Sequence, residues 1–418
     1  MPWQARSIVS QREEFVVLCG APGAKVSRLC ERFRISRQTG HLWIKRFAAD
    51  GRAGLVDQSR RPVTSPGKSG EEVERLIVSL RRRHPAWGGR KLKARLEQVG
   101  HANIPAASTV TAILRRHGLI TPEASEAAAP WTRFEHEHPN DLWQMDFKGP
   151  IATRRGVCHA LTVLDDHSRF SVGLRACPDQ RMPTVRGHLT RMFEVYGLPW
   201  RILADNGPPW GFDGAGTWTH LGVWLLKLGV VMIHGRPYHP QTQGKEERFH
   251  RTLNAELLRR ADLRGIAHAQ ALMDPWRDVY NLERPHEAVG MKPPVARYRP
   301  SSRAMPTRPA GYEPSPDQTP QVVKEGGRVR FAGRSWYLGL AWNHETVGLR
   351  WSERDGVAEV YFGPYRIAEL DVRTPDPGER VRLVPVGRYA PSLHEPHAKG
   401  YPHDSQGCPR TPSTMSPA

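Results

Sequence analysis

The stretch that decides the fold runs from Asp141 to Cys177 and reads DLWQMDFKGPIATRRGVCHALTVLDDHSRFSVGLRAC. Apolar and β-branched residues dominate three parts of it, residues 141–147, 157–164 and 169–176, and Gly, Asp and Ser residues separate these parts. Runs of this kind are typical of β-strands joined by tight turns. We therefore predict a meander of three consecutive strands.

Helix and strand patterns alternate after the meander. The predicted elements are a helix over residues 182–196, a strand over 201–204, a helix over 217–228, a strand over 230–233 and a long helix over 242–260. Three early strands followed by alternating helices and strands indicate a mixed sheet flanked by helices. We expect this α/β core to cover residues 140–298.

The N-terminal 120 residues are rich in arginine and show helical periodicity. Ser36 is a candidate N-cap for a helix that turns Leu42, Trp43 and Phe47 inward. The side chains left to face outward are Arg37, Gln38, Thr39, His41 and Lys45. Two short helices with polar residues leading the second predict a DNA-binding helix-turn-helix in residues 1–56, although a generic helical hairpin gives the same pattern.

A second helix-turn-helix is predicted over residues 67–120. Its first helix stops before Pro85, and Ser108 is the candidate cap of its last helix. The basic residues in and before this unit that we predict to contact DNA are Arg60, Arg61, Arg90 and Lys91. The alternative is that such charge runs are simply solvated helix faces.

The remaining segments differ in composition. Residues 121–139 are predicted to be a linker, and residues 299–320 form a second, Pro-rich linker. Short β-rich runs over residues 321–373 predict a small β-barrel-like domain. Pro, Gly, Ser and His dominate residues 374–418, which we expect to be a disordered tail.

The charge of the chain points to a polyanionic partner. Lys and Arg number 61 against 42 Asp and Glu, which gives a net charge of +19 and a pI of 10.2. Each Lys or Arg that binds a phosphate releases a condensed counterion, so such an excess favours double-stranded DNA. An anionic membrane surface is the alternative, but no run approaches the ~20 apolar residues of a membrane span. The five cysteines are scattered, which indicates reduced thiols in a cytoplasmic protein.

Three carboxylates are the candidate catalytic and metal-binding residues. Asp146 lies in LWQMDFKG at the end of a predicted strand, Asp205 follows a short apolar strand in RILADNG, and Glu247 lies near the start of a long helix in HPQTQGKEERFHRTL. Carboxylates at strand ends and on a neighbouring helix can converge on one edge of a sheet. Hard cations such as Mg²⁺ prefer oxygen ligands of this kind.

Each of these residues alone has a structural alternative. Asp205 before Asn-Gly is typical of a turn, and Glu246 with Glu247 can simply complement a helix dipole. Asp165 and Asp166 are competing carboxylates, for which a turn role or pairing with Arg169 is the alternative. Lys245 and Arg248 are predicted to contact DNA phosphates, and Trp210, Trp218 and Trp224 are candidates for base stacking, with Trp224 more suited to the core.

Taken together, WQMDFKG, ADNG and HPQTQGKEERFHRTL resemble insertion-sequence transposases that have a DDE catalytic core of the retroviral-integrase type. The resemblance covers nearly the whole chain. It implies an RNase H-like fold, two Mg²⁺ or Mn²⁺ ions, and Asp146, Asp205 and Glu247 as their ligands. It also implies metal-dependent cleavage of the ends of a mobile element, strand transfer into target DNA, at least a dimer on DNA, and a location in the bacterial cytoplasm with the nucleoid.

Two features depart from the simplest match. The interval between Asp205 and Glu247 is longer than is common in the wider superfamily, which we assign to the loop PPWGFDGAGTWT. Periodicity also places Glu246 nearer than Glu247 to the buried stripe of Phe249 and its neighbours, so the choice of Glu247 comes from the motif.

Two other classes of function fit parts of the pattern. A DNA-binding regulator derived from a transposase has no need for three metal-binding carboxylates. A nuclease that hydrolyses without joining has no need for helix-turn-helix arms. The carboxylates and the N-terminal units together therefore favour a transposase.

Overall fold

The computed structural model describes residues 7–57, 69–120, 135–205, 207, 210, 218–234, 244–309, 311–373 and 381–384. The chain divides into two compact units, residues 1–69 and 70–418, and each is considered by itself. Within the described ranges, no helix is both long enough and apolar enough to cross a membrane.

The first unit is a small helical bundle. Its helices are α1 (Ile8–Cys19), α2 (Val26–Arg32) and α3 (Arg37–Asp50). The Ser36 side chain accepts a hydrogen bond from the Thr39 amide, which confirms the predicted N-cap of α3. Trp43 is buried as predicted, but Leu42 is 46% exposed, so that prediction was wrong. The buried face of α3 follows Gly40 and Trp43, one turn apart, and Leu42 lies beside that face rather than on it.

Gly40 allows α3 to cross the other two helices closely. A Cβ atom at this position would lie 2.5 Å from Cys30 Sγ and 3.0 Å from the Phe15 ring. Phe15, Cys30 and Trp43 form the centre of this small core with Leu55. The absence of a side chain at residue 40 therefore sets the distance between the helices.

A second set of three helices opens the larger unit. These helices are α4 (Glu71–Arg83), α5 (Gly89–Gln98) and α6 (Ala107–Arg116), packed around Ile77, Trp87, Leu92 and Ile113. Acidic residues in the first turn of α4 and basic residues in its last turn complement the helix dipole. α6 begins at Ala107 and makes no side-chain cap, so the prediction that Ser108 caps it was wrong.

The core is a five-stranded mixed sheet. Its strands are β1 (Leu142–Thr153), β2 (Gly156–Asp165), β3 (Ser171–Cys177), β4 (Arg201–Ala204) and β5 (Val231–His234). The order is β3-β2-β1-β4-β5, in which β1, β2 and β3 are antiparallel and β4 and β5 run parallel to β1. The predicted meander and mixed sheet are confirmed.

Helices cover both faces of this sheet. Successive strand side chains point to opposite faces, and both faces are apolar. Helices α7 (Met182–Tyr196) and α8 (His220–Lys227) pack on the face of Trp143 and Val163. Helices α9 (Gly244–Leu253) and α10 (Ile266–Leu282) pack on the face of Ala160 and Leu174. A π-helical turn, Asn254–Leu258, continues α9, so the predicted long helix changes its geometry after Leu253. The result is a three-layer α/β/α core.

The predicted Pro-rich linker is largely attached to the core. The Arg303 carbonyl accepts a hydrogen bond from the Leu198 amide at 2.7 Å, and the Arg303 guanidinium donates to the Pro199 carbonyl at 2.7 Å. The end of the first predicted linker is attached as well, because Glu135 pairs with Arg169 and Arg297. Neither segment is simply a tether where it is described.

The C-terminal region is β-rich as predicted. Its strands are β6 (Thr319–Val322), β7 (Arg328–Phe331), β8 (Arg334–Tyr337), β9 (Thr346–Trp351), β10 (Val357–Phe362), β11 (Tyr365–Asp371) and β12 (Arg382–Leu383). They form a sheet of order β12-β11-β10-β9-β6 and a β7-β8 hairpin. β12 lies inside the predicted disordered tail, so that prediction was wrong at residues 381–384; the rest of residues 374–418 lies outside the described residues. Trp218 and Leu226 of the core pack into the same cluster as Trp342.

Replacing Phe193 with Ala tests this core. Phe193 is fully buried on α7, with its ring 5.8 Å from the rings of both Trp143 and Trp224. We expect Phe193→Ala to lower the free energy of unfolding by about 3–5 kcal/mol through lost burial and a cavity. Urea unfolding followed by far-UV circular dichroism measures the change. Val195→Ala, at a 54% exposed site on the same helix, should leave the midpoint almost unchanged; equal effects would contradict the packing.

Candidate active site and nucleic-acid contacts

Asp146 and Asp205 lie side by side on two neighbouring parallel strands. β1 pairs with β4 in a register that joins Leu142 to Arg201 and Gln144 to Leu203. Each aspartate lies two residues beyond the last of these pairs. Neighbouring strands lie ~4.8 Å apart, and side chains alternate between the two faces of a sheet. Residues at the same level of two parallel strands therefore point to the same face when their alternation matches. The sheet therefore brings both carboxylates to the point where β4 ends.

Asp146 does not end its strand, and this part of the prediction was wrong. β1 runs on to Thr153, and Asp146 lies within it, paired with Thr162 of β2. The ladder with β2 is irregular between Lys148 and Ile151, a gap that contains Pro150, which has no amide hydrogen to donate. Asp146 is thus at the end of the β1–β4 pairing, while the β1–β2 hairpin continues beyond it.

Asp205 combines a turn with a position at the sheet edge. Its Oδ1 atom accepts hydrogen bonds from the Gly207 amide at 2.9 Å and from the Trp210 indole. The Trp210 ring stacks on Phe147 of β1 at 5.1 Å, so it is buried against the neighbouring strand. The carbonyl oxygen of Asp205 accepts from His234 Nδ1 at 2.8 Å. Asp205 therefore forms the turn predicted from the sequence through its Oδ1 atom, and its Oδ2 atom has no partner among the described contacts.

Glu246 and Glu247 face different environments on the first turn of α9. Glu246 is 1% exposed and packs against Thr162 of β2, whereas Glu247 is exposed. The periodicity that placed Glu246 nearer the buried stripe is therefore confirmed. Glu247 lies close enough to Asp146 for their negative charges to interact.

Thr162 joins three groups around Asp146. Its hydroxyl lies 3.0 Å from the Asp146 carbonyl oxygen, 3.0 Å from Glu246 Oε2 and 2.9 Å from His250 Nε2. The Thr162 hydroxyl has only one proton to donate, so it can donate to only one of these three groups. In the other contacts the partner must donate its own proton to the Thr162 oxygen. Burial raises the pKa of Glu246 well above its usual range, and the Asp146 charge adds to this effect. A protonated Glu246 can donate to Thr162, which then donates to Asp146.

The charge around Asp146 suits a divalent cation. Burial, together with the negative charges of Asp205 and Glu247, raises the pKa of Asp146 to about 6 against the opposing effects of the Phe147 amide and Lys148. Three oxygen donors with unfavourable mutual repulsion match the preference of Mg²⁺ and Mn²⁺. Among the described residues, no three His, Cys, Asp or Glu side chains form a complete cluster for a metal ion. The donor types and their charge fit the ions.

A basic crevice adjoins Glu247. It runs between the bulged part of β1 and the outer face of α9 and its π-helical turn. Its lining residues are Lys148, Gly149, Glu247, His250, Arg251, Asn254, Ala255 and Arg259. Burial and the nearby Lys148 lower the pKa of His250 to about 4, so this imidazole is neutral at neutral pH. The positive charge in the crevice thus comes from Lys148, Arg251 and Arg259, beside the candidate acid.

The competing carboxylates Asp165 and Asp166 have structural partners. Asp165 is fully buried and accepts from the Ser168 amide at 2.8 Å, which is the turn role considered from the sequence. Asp166 accepts from Gln144 at 2.6 Å and pairs with Lys245. Arg169, the alternative partner, forms its ion pair with Glu135 at 3.0 Å. These contacts account for both acids without a bound metal.

Lys245 is therefore less available to DNA than predicted. Its ammonium group pairs with the buried Asp166, and its side chain is 19% exposed. Burial lowers the pKa of Lys245, and the nearby Arg169 contributes to the decrease. Arg248, predicted with it, is exposed and has no such partner among the described contacts.

The predicted DNA contacts of the two helical units differ in exposure. On α3, Arg37, Gln38, His41 and Lys45 are exposed, while Thr39 is half-buried at the cap. In the second unit, Arg90 forms an ion pair with Glu287, and burial lowers the pKa of Lys91 to about 8. Arg60 and Arg61 lie outside the described residues.

Several residues of the site were missed from the sequence. Thr162 and His250 touch Asp146 and Glu246, yet neither stands in an acidic motif. The i to i+4 spacing of Glu246 and His250 was the available signal, since it puts both on one face of α9. Trp210, Trp218 and Trp224 are all buried, so the expected base-stacking faces are not presented.

Comparison with known families assigns each part of the chain. Residues 136–240 and 228–294 match integrase core domains, and residues 317–378 match the C-terminal domain of IS481 family transposases. Residues 11–62 match a helix-turn-helix domain, and residues 39–114 match a homeodomain-like domain. Helix-turn-helix, integrase-core and IS481 transposase C-terminal matches thus follow one another along the chain. The resemblance inferred from the sequence is thereby confirmed.

Similar proteins are found in insertion elements and retroviruses. A 31.7 kDa protein of insertion element IS407 from Burkholderia multivorans is 27% identical over 62% of this chain and 93% of its own length. A 39.2 kDa protein of IS476 from Xanthomonas euvesicatoria is 25% identical over 68% of this chain and 82% of its own length. The catalytic core of BIV integrase is 23% identical over 38% of this chain and 92% of its own length, with a TM-score of 0.29.

The raised pKa of Asp146 predicts how its replacement changes stability with pH. Below about pH 4 this carboxyl is protonated in both the folded and the unfolded chain, so wild type and Asp146→Asn should be similarly stable. As pH rises through 6, the folded wild type must ionise a partly buried acid and loses stability, whereas Asn does not. We expect Asp146→Asn to be more stable by about 2 kcal/mol at pH 8 in EDTA.

Urea unfolding at pH 4 and pH 8 measures this difference. Glu194→Gln, at an exposed site on α7, is the control and should show no pH-dependent gain. A gain for Asp146→Asn that is the same at both pH values would show that ionisation of Asp146 is not its cause.

Proposed function

We propose that this transposase-family protein cleaves the ends of a mobile element and joins them to target DNA, with Asp146, Asp205 and Glu247 holding two Mg²⁺ or Mn²⁺ ions. The observation that supports this most strongly is the matched position of Asp146 and Asp205 beyond the β1–β4 pairs. Glu247 joins them from α9, and the charges of Glu247 and Asp205 both act on Asp146.

The exposure of the two glutamates supports Glu247 as the third ligand. A ligand must face the space that the phosphodiester enters, and Glu247 is exposed there and lines the basic crevice. Glu246 is turned into the protein, where Thr162 is its partner. We therefore assign Glu246 to holding α9 against β2 and Glu247 to the ions.

The reaction consists of two displacements at phosphorus. When bound, the ions would neutralise the developing charge and assist the attacking and leaving oxygens. In the first displacement, water attacks the phosphodiester at the element end, and the bond to the 3′ oxygen breaks. In the second, the freed 3′-OH attacks a phosphodiester of the target, whose own 3′ oxygen leaves. No Ser or Tyr nucleophile is required.

The basic residues of the crevice would position the strand. Lys148, Arg251 and Arg259 can bind phosphate oxygens beside Glu247 and hold the reacting phosphorus in line. The exposed polar face of α3 would bind the terminal repeats. Two ends must be joined together, so the active species on DNA is at least a dimer, acting in the bacterial cytoplasm with the nucleoid.

Substitution of the three ligands tests the chemistry. Asp146→Asn, Asp205→Asn and Glu247→Gln should each lower Mg²⁺-dependent strand transfer by about a thousandfold, since several kcal/mol of charge stabilisation is lost. The measurement is joining of labelled DNA from the flanks of the gene. Binding of the same DNA in EDTA should remain close to wild type.

Glu246→Gln is the matched control for Glu247→Gln. Gln can still donate to Thr162, so we expect this variant to keep strand transfer within about tenfold of wild type. If Glu246→Gln is inactive and Glu247→Gln is active, Glu246 is the ligand and the assignment is wrong. If all four variants join DNA, the chemistry lies elsewhere.

DNA binding by α3 is tested through its salt dependence. Arg37→Ala and Lys45→Ala should each weaken binding and reduce the slope of log K against log salt by about 1, because one phosphate contact is lost. Fluorescence anisotropy at several salt concentrations measures both quantities. Arg52→Ala, at a residue already paired with Glu13, is the control; an equal change there would argue against α3 as the contact surface.

A further inference from the structure

One face of α5 is occupied by the catalytic core. Arg95 donates to Glu283 at 2.8 Å, and Arg90 lies 2.7 Å from Glu287. Both glutamates follow α10, where the chain turns away from the sheet. Val279 of α10 also packs against the apolar cluster of α4, α5 and α6. The second helical unit is therefore held by charge and by apolar contact.

A buried ion pair lies behind this contact. Arg284 Nε donates to Glu256 Oε1 at 2.9 Å, and the two side chains are 8% and 10% exposed. Lys91 of α5 interacts with the charges of Arg284, Glu256 and Glu287. Most water is thus excluded from the pair of Arg284 and Glu256, and the half-buried Lys91 lies within reach of their charges.

This cluster connects directly to the catalytic helix. Glu256 lies in the π-helical turn that continues α9. Arg284 lies over the Tyr280 ring at 5.6 Å, and Tyr280 meets Phe249 edge-on at 4.9 Å. Phe249 is buried in α9, two residues after Glu247. A displacement of α5 would therefore be passed to the middle of α9 and to the turn that continues it.

The acids of this contact already have arginine partners. Glu283 pairs with Arg95, Glu287 with Arg90 and Glu256 with Arg284. The acids also repel phosphate. Helix-turn-helix binding of DNA through this face would require α5 to leave the core.

We infer that α5 is a support for the active site, in which Arg95 is a positioning residue that holds α9, and with it Glu247, against the sheet. This role rests on the proposed function only for its catalytic consequence. The structural part, that α5 secures α9, holds whether or not the chain joins DNA.

A charge exchange across the contact tests the inference. Arg95→Glu and Glu283→Arg are made singly and together, and hydrogen–deuterium exchange is measured for peptides covering residues 244–258. Each single change should lower protection of these amides about tenfold and strand transfer at least tenfold. The double variant should recover both to within about threefold, which a general loss of folding would not do.

The matched control lies outside this contact. Arg373→Glu makes the same change of charge as Arg95→Glu in the C-terminal region, where Arg373 pairs with Asp371, and should leave α9 unchanged.

The exchange measurement separates this inference from the proposed function. If wild type joins no DNA but α9 still loses protection in Arg95→Glu, the support role stands and the proposed reaction fails. If α9 protection is unchanged in Arg95→Glu while DNA binding weakens, α5 is a DNA-contact surface and the inference is overturned.

Discussion

The parallel pairing of β1 with β4 is the constraint on which the candidate site depends. It places Asp146 and Asp205 at the same level of neighbouring strands, at the point where β4 ends. Two carboxylates in that position repel each other, and burial makes ionisation of Asp146 harder still. The strands can hold this arrangement because large side chains such as Trp143 and Phe193 pack beneath it. Core packing therefore compensates for an electrostatically unfavourable edge that suits a cation.

The third carboxylate depends on how α9 is fixed to the sheet. Glu246 turns inward to Thr162, and Phe249 packs against Tyr280 of α10. These contacts leave Glu247 facing outward beside Asp146. Adjacent glutamates thus have different environments: one is a buried hydrogen-bonding group and the other is exposed at the edge of a basic crevice.

The helical unit of residues 70–120 and the C-terminal β-rich region both pack on the core. α5 meets the end of α10 through Arg95 and Glu283, and Trp218 enters the apolar cluster of the C-terminal strands. These contacts indicate that both regions support the core. Lys91 of α5, which was predicted to contact DNA, is half-buried.

The sequence by itself determined the features that depend on neighbouring residues. Ser36 caps α3 through an amide three residues away, the meander and α7 follow from local periodicity, and Asp205 forms its turn with Gly207. Motif resemblance supplied the family and the choice of Glu247.

Only the tertiary structure decided the features whose partners are distant in the chain. The continuation of β1 past Asp146 depends on β2, and the pairing of Lys245 with Asp166 spans 79 residues. The charges that act on Lys91 come from residues 256, 284 and 287, which are distant in the chain. Periodicity describes which side of an element is apolar, but it does not say which charged group will face it. That choice is made when the elements pack, because burial of a charge requires a partner that the fold brings to it.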